Sequence, residues 1–176
     1  MSGVYPMHRN VLRPFVLIAA SFALSTHAQQ PVKAIQADHI VVVKSAHTMT
    51  LYADGKGLKV YHVSLGSGAS GNAKQQQGDH ETPEGTYTIN GRNAHSSCHL
   101  ALHISYPNAA DRERARKLGA DPGGDVMIHG LPPGYDWIKP GQEIADWTYG
   151  CIGLTNVEMD EVWKLVPIGT PIEIRH

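Results

Sequence analysis

The chain has 176 residues, enough for one domain with a real core and too few for two large ones. Its formal net charge of -1 and its pI near 6.8 leave no basic excess for nucleic acid or an anionic membrane surface. Two cysteines exclude a disulfide-rich scaffold, yet in an exported protein they admit one bridge, Cys98 to Cys151.

At the N-terminus, His8, Arg9 and Arg13 precede an apolar run from Phe15 to Leu24, and Thr26 with Ala28 supply a small-x-small cleavage site. That pattern predicts a secretory signal peptide over residues 1–28. The apolar run is about ten residues, whereas a span needs roughly 20, so the mature protein is expected in a periplasm without an integral membrane segment. An uncleaved anchor is the competing reading. Residues 29–37 are polar and proline-bearing and read as a short linker, which leaves one domain over residues 38–176.

Strands are expected at 39–44 and 49–52, both β-branched or aromatic, and at 58–65, where apolar and polar residues alternate. The run AlaAspGlyLysGly (53–57) turns the chain between the last two. Residues 66–81 are polar and glycine-rich and form a loop, within which Asp79 and Thr82 at its exit are expected to organise the turn. ThrProGluGly opens onto a strand ending near Ile89, and 99–105 alternates as another. Asn108 is placed to cap a charged surface helix that Gly119 stops. ValMetIleHis (126–129) is a further strand. Residues 131–148 are irregular, a candidate lid with one helical turn at GlnGluIleAlaAspTrp. Thr155 and Glu158 form a capping box for a helix to about Val166, and 171–175 closes as a strand.

Two residues carry the candidate chemistry. His129 and Cys151 lie 22 positions apart, each where a β-like run meets glycine. A thiol needs a nearby base to react near neutral pH, so the pair reads as base and nucleophile. The main-chain N–H groups of Gly150 and Cys151 are candidate oxyanion donors, each worth roughly 3 kcal/mol in such sites. The blander readings are a buried free cysteine and a core histidine. His95, Cys98, His99 and His103 could be read as zinc ligands, but on a strand Cys98 and His99 point to opposite faces, so no metal is expected.

Three patterns fall in one order: GlyAspHisGluThrProGluGly at 78–85, IleHisGly at 128–130 and ThrTyrGlyCysIleGlyLeuThrAsn at 148–156. From Asp38 to Ile174 the chain resembles the L,D-transpeptidase catalytic domain. The resemblance implies a mainly β fold, a sandwich or barrel-like mixed sheet with a few peripheral helices, and no cofactor. It implies that Cys151 takes the acyl group of a peptidoglycan stem peptide, displacing a terminal D-alanine, and is open to acylation by a carbapenem. It further implies that His129 activates the thiol and that the Gly130 backbone carbonyl orients the ring. Two positions depart from the common motif: Tyr149 replaces a histidine before Gly-Cys, and Gly153 replaces an arginine. With Trp147 and Thr148 ahead of it, the motif is similar to a branch that includes enzymes releasing lipoprotein from peptidoglycan. Trp147, Thr148 and Tyr149 are thus candidate substrate contacts, and an amine or water the candidate acceptor. A non-catalytic peptidoglycan-binding domain of the same fold is the alternative.

Overall fold

The structure, a computed structural model, describes residues 1, 3, 35–68, 71–142 and 145–176. Apart from residues 1 and 3, the expected signal peptide lies outside the described residues, as do residues 29–34 of the expected linker and part of the expected helical turn at 142–147. By its internal contacts the chain divides into Met1–Lys33 and Ala34–His176, and every element below belongs to the second unit.

Eight strands form one mixed sheet: β1 His39–Val43, β2 Thr48–Ala53, β3 Lys56–His62, β4 Gly85–Ser96, β5 His99–Ile104, β6 Met127–His129, β7 Ile152–Gly153 and β8 Pro171–Arg175. Their order across the sheet is β3-β2-β1-β8-β4-β5-β6-β7. The pairs β1–β8 and β6–β7 are parallel and the others antiparallel. The first and last strands do not remain edges. Just past β3, Ser64 pairs with Gly153 of β7 through two bonds of 3.0 and 2.8 Å, and Gly66 bridges Thr148. The sheet therefore curls until its ends meet, which satisfies main-chain groups that an edge would leave open. The strap 64–67 is the seam of this barrel-like closure.

Local chemistry explains the pieces. Asp54 and Gly55 both take positive φ, 51° and 71°, as a tight hairpin turn between β2 and β3 requires. In β2 only Met49 and Leu51 are fully buried, the inward half of an alternating strand. They join Ile40, Val42, Ile89, Leu102, Ile128, Ile152, Ile172 and Ile174 in one core. The helix α1 spans Ala109–Leu118, with the Asn108–Asp111 capping box at its start and Gly119 in the left-handed region at its end. The helix α2, Asn156–Leu165, starts from the Thr155–Glu158 box and buries Met159 and Val162. Arg92 fastens its far end, donating to the carbonyls of Val166 (2.7 Å) and Trp163 (2.6 Å) while lying 3.8 Å over the Trp163 ring.

Two strand boundaries differ from the sequence reading. β3 stops at His62, because residues 63–65 leave the hairpin to become the seam strap. β4 runs twelve residues to Ser96, past the apolar stretch that marked it, since pairing with β5 carries its polar half.

Candidate active site

The site is built on the seam. In the parallel register of β6 and β7, Ile128 stands beside Ile152 and His129 beside Gly153. Both isoleucines are fully buried, so their neighbours His129, Gly153 and Cys151 share the opposite face. Cys151 and His129 are thus diagonal neighbours on adjacent strands, with Cα atoms roughly 8 Å apart from strand spacing alone. The structure brings together the two residues that the sequence singled out.

His129 is 7 % exposed, and its Nδ1 lies 2.7 Å from the Gly130 carbonyl oxygen. A carbonyl only accepts, so Nδ1 carries the proton and Nε2 holds the free lone pair in the neutral ring. Burial lowers the His129 pKa from the ordinary imidazole value, and the bond to Gly130 opposes this more weakly. Gly130 itself is fixed by crowding: a Cβ there would stand 2.6 Å from Asn156 Oδ1 and 2.9 Å from His99 Cβ.

Cys151 is half-buried, with its Sγ 3.6 Å from the Asp125 carbonyl. Burial raises its pKa; the Met127 backbone N–H lowers it, Cys98 and Asp125 raise it further, and Lys74 lowers it. Imidazole and thiol are therefore both shifted toward their neutral forms. Both cysteines are free, so the alternative of a Cys98–Cys151 bridge does not hold in this structure.

The turn before the thiol is tightly specified. Thr148 is 3 % exposed, and its Oγ1 donates to the Cys151 carbonyl at 2.7 Å and accepts the Gly150 N–H at 3.2 Å. Its hydroxyl is used inside the turn, so its part is to shape the turn rather than to line a cleft. The Gly150 N–H is likewise engaged, while among the described residues no protein acceptor meets the Cys151 N–H. Gly150 takes φ 114°, and a Cβ on it would sit 2.6 Å from the Glu81 carbonyl oxygen. Tyr149 is 78 % exposed and stacks on His80, 4.5 Å between ring centroids. Trp147 packs over Gly153 and meets the His129 ring.

The loop behind this turn is held by charge. Asp79 accepts from Lys74 Nζ (2.7 Å) and from the N–H groups of Gln75, Gln76 and Glu81, while Thr82 Oγ1 accepts the Gly66 N–H at 2.9 Å. Both therefore organise the turn as expected. Burial pushes the Asp79 pKa up, but these donors outweigh it and the net shift is downward. A depressed carboxylate stabilises the fold above its unfolded pKa, and that stability is lost as pH falls through the lower folded value. Asp79→Asn is therefore expected to flatten the acid limb of a stability–pH curve. It should also cost roughly 3 kcal/mol near neutrality, because the buried Lys74 loses its counter-charge. Urea unfolding from pH 7 downward checks both; an unchanged acid limb would refute the role.

Sequence reasoning passed over three supports. Asp146 ties the strap, accepting the Leu65 N–H at 2.7 Å and lying 3.0 Å from His47 Nε2. Asn156 accepts the Leu131 N–H at 2.8 Å and donates to Asp136, fixing the start of the candidate lid. Lys74 sits 5 % exposed in a loop read as polar. Asp146 and Lys74 lie in irregular segments, where no periodicity marks burial, and Asn156 opens α2, where nothing in the helix pattern marks its side-chain bonds. Of the histidine-rich tract, His99 pairs with Asp160 at 2.8 Å. Among the described residues no group of three or more His, Cys, Asp and Glu side chains is placed to hold a metal, and no helix is long and apolar enough to cross a membrane.

Comparison with known proteins places this geometry. The model of the L,D-transpeptidase catalytic domain, YkuD, matches residues 37–174. The putative L,D-transpeptidase YafK of Escherichia coli K12 is 31% identical over 134 residues, which are 73% of this chain and 46% of that protein. This chain thus spans about half the length of that relative. Among solved structures, the helical cell shape determining protein Pgp2 from Campylobacter jejuni shares the fold at TM-score 0.58 and 20% identity, over 80% of this chain and 48% of that one. An L,D-transpeptidase from Xylanimonas cellulosilytica does so at TM-score 0.52 and 16% identity, over 81% and 62%. The matched span runs from the approach to β1 into β8 and contains the whole seam with His129 and Cys151, so this chain belongs to the L,D-transpeptidase catalytic domain family.

Proposed function

We propose that the protein is a peptidoglycan-modifying cysteine enzyme acting in the periplasm. The observation that carries the proposal is the placing of Cys151 and His129 on one face of β6 and β7, with the ring locked through Nδ1 to Gly130 so that Nε2 is free to take the thiol proton. Cys151 Sγ attacks the carbonyl carbon at the scissile bond of a stem peptide as His129 Nε2 takes the thiol proton. The tetrahedral intermediate collapses to a thioester, and His129 returns the proton to the departing amine, a terminal D-alanine or a wall-linked lipoprotein. An acceptor amine or water, deprotonated by the same nitrogen, then resolves the thioester. Amine gives transpeptidation; water gives carboxypeptidase, endopeptidase or lipoprotein release. No step calls for a cofactor. A part in wall biogenesis and cell shape follows from this chemistry.

One observation favours the second reading, a wall-binding domain without turnover: the Gly150 N–H is spent on Thr148, leaving the Cys151 N–H as the available oxyanion donor. Muropeptide profiles separate the readings. Sacculi treated with wild type should yield D-alanine with new dimers, a trimmed stem or freed lipoprotein, and Cys151→Ala should yield none. Sacculi retained in a pull-down with no product from wild type would establish the binding domain instead.

A further inference from the structure

Trp147 lies on the seam immediately before Thr148. In the register of β6 and β7, Gly153 stands beside His129. A Cβ on Gly153 would come within 3.2 Å of the Trp147 ring, at Cζ2, and 3.3 Å of its Nε1. The indole thus rests on the bare α-carbon of Gly153, in the space that any larger residue would claim for itself. From there it meets the His129 imidazole edge to face, 5.4 Å between centroids and 74° between planes. Its Nε1–H is buried with no acceptor among the described residues. An unpaired buried donor carries a cost, so the indole is held here by its ring contacts with Gly153 and His129 and not by a hydrogen bond.

We propose that Trp147, seated on Gly153, is the positioning residue for His129, bracing the imidazole on Gly130 and shutting water from the ring. The inference rests on the reading of His129 as base and Cys151 as nucleophile, and deepens it. The Nδ1 bond to Gly130 fixes one point of the ring. A second contact is needed to stop the ring tilting about that bond, and the indole supplies it from the β7 side. The residue at 153 then decides whether the brace exists, because a side chain there evicts the indole. The titratable groups around this corner are Cys151 on the same face, Asp125 ahead of β6, Lys74 in the preceding loop, Cys98 in the β4–β5 turn and His99 at the start of β5, with His99 already paired to Asp160. Substitutions at 147 and 153 leave all of them in place.

The test joins an NMR titration of the His129 ring to the pH profile of Cys151 alkylation by iodoacetamide, on the whole chain. Trp147→Ala admits water to the ring, so the His129 midpoint should rise by about half a pH unit or more. Alkylation near neutrality should slow about tenfold. Trp147→Phe, which keeps the apolar brace, should stay close to wild type in both. Gly153→Leu should reproduce Trp147→Ala by displacing the indole, and in the double variant it should add little, as coupled neighbours do. The inference is overturned if Trp147→Ala or Gly153→Leu, whichever folds, keeps the wild-type midpoint and profile, or if Trp147→Phe behaves as Trp147→Ala does. His129→Asn is the separate arm: an alkylation profile identical to wild type would sink the base assignment, while the NMR midpoint would still report on Trp147.

Discussion

Incubated with a carbapenem, the wild-type protein is expected to gain the full mass of one inhibitor molecule, and Cys151→Ala to gain none. The sulfur attacks the β-lactam carbonyl, the ring C–N bond breaks, and the nitrogen takes the proton that left the thiol; nothing departs, so intact mass reads the step directly. Cys98 is the internal control, being a second free thiol outside the β6–β7 register. An adduct that survives Cys151→Ala would remove Cys151 as nucleophile. His129→Ala should retain the thiol but slow the adduct by about 10²–10⁴-fold, the usual worth of a placed general base. The pH dependence has a definite sign. A base at His129 would act in its neutral form, and burial lowers the His129 pKa, so the rate should hold below the ordinary imidazole range and fall only as pH drops through that lowered value. Burial raises the Cys151 pKa, so no thiolate plateau should appear at neutral pH, and the rate should climb again on the alkaline side. A profile with no rise on the alkaline side would instead indicate a preformed thiolate, contrary to this environment.

Much of this was legible in the sequence, and the boundary between what was and was not has physical causes. Alternation marked β5, β-branched or aromatic runs marked β1 and β2, and the two helices announced their ends through Asn108, Gly119, Thr155 and Glu158. The pairing of His129 with Cys151 was readable because each sits at a glycine-marked strand end. The seam was not. Its strap, 64–67, and its two-residue strand β7 are too short to show a period, and closure depends on contacts between residues about 90 apart, such as Ser64 and Gly153. For the same reason Gly153 read as a missing side chain rather than as a seat for Trp147, and Thr148 read as a substrate contact rather than as the residue that shapes the turn. Tyr149, by contrast, is exposed and stacks on His80 beside the Gly150–Cys151 turn.

Gly66→Ala should be among the most damaging of the small substitutions. A Cβ on Gly66 would overlap the His80 carbonyl oxygen and lie 3.0 Å from Gly150 Cα, so three backbones converge where a single methyl has no room. No flexible side chain stands there to yield, and the strap is tied on both sides, through the Gly66 N–H to Thr82 and the Ser67 N–H to Thr148. The expected loss is about 3 kcal/mol or more, the range for overpacking against backbone that cannot relax. Gly57→Ala is the matched control: it lies in β3 with ordinary φ and nothing within 4 Å of its Cβ, and should shift stability by no more than about 0.5 kcal/mol. Urea midpoints decide between them. The acylation rate adds a second reading, because the contact that closes the sheet also sets the Gly150–Cys151 turn against Glu81. If the strap yields by opening the seam, Gly66→Ala should lose adduct formation even under conditions where it remains folded. A Gly66→Ala protein matching Gly57→Ala in both midpoint and rate would show that seam and site are independent, and the placing of the nucleophile would then need another cause.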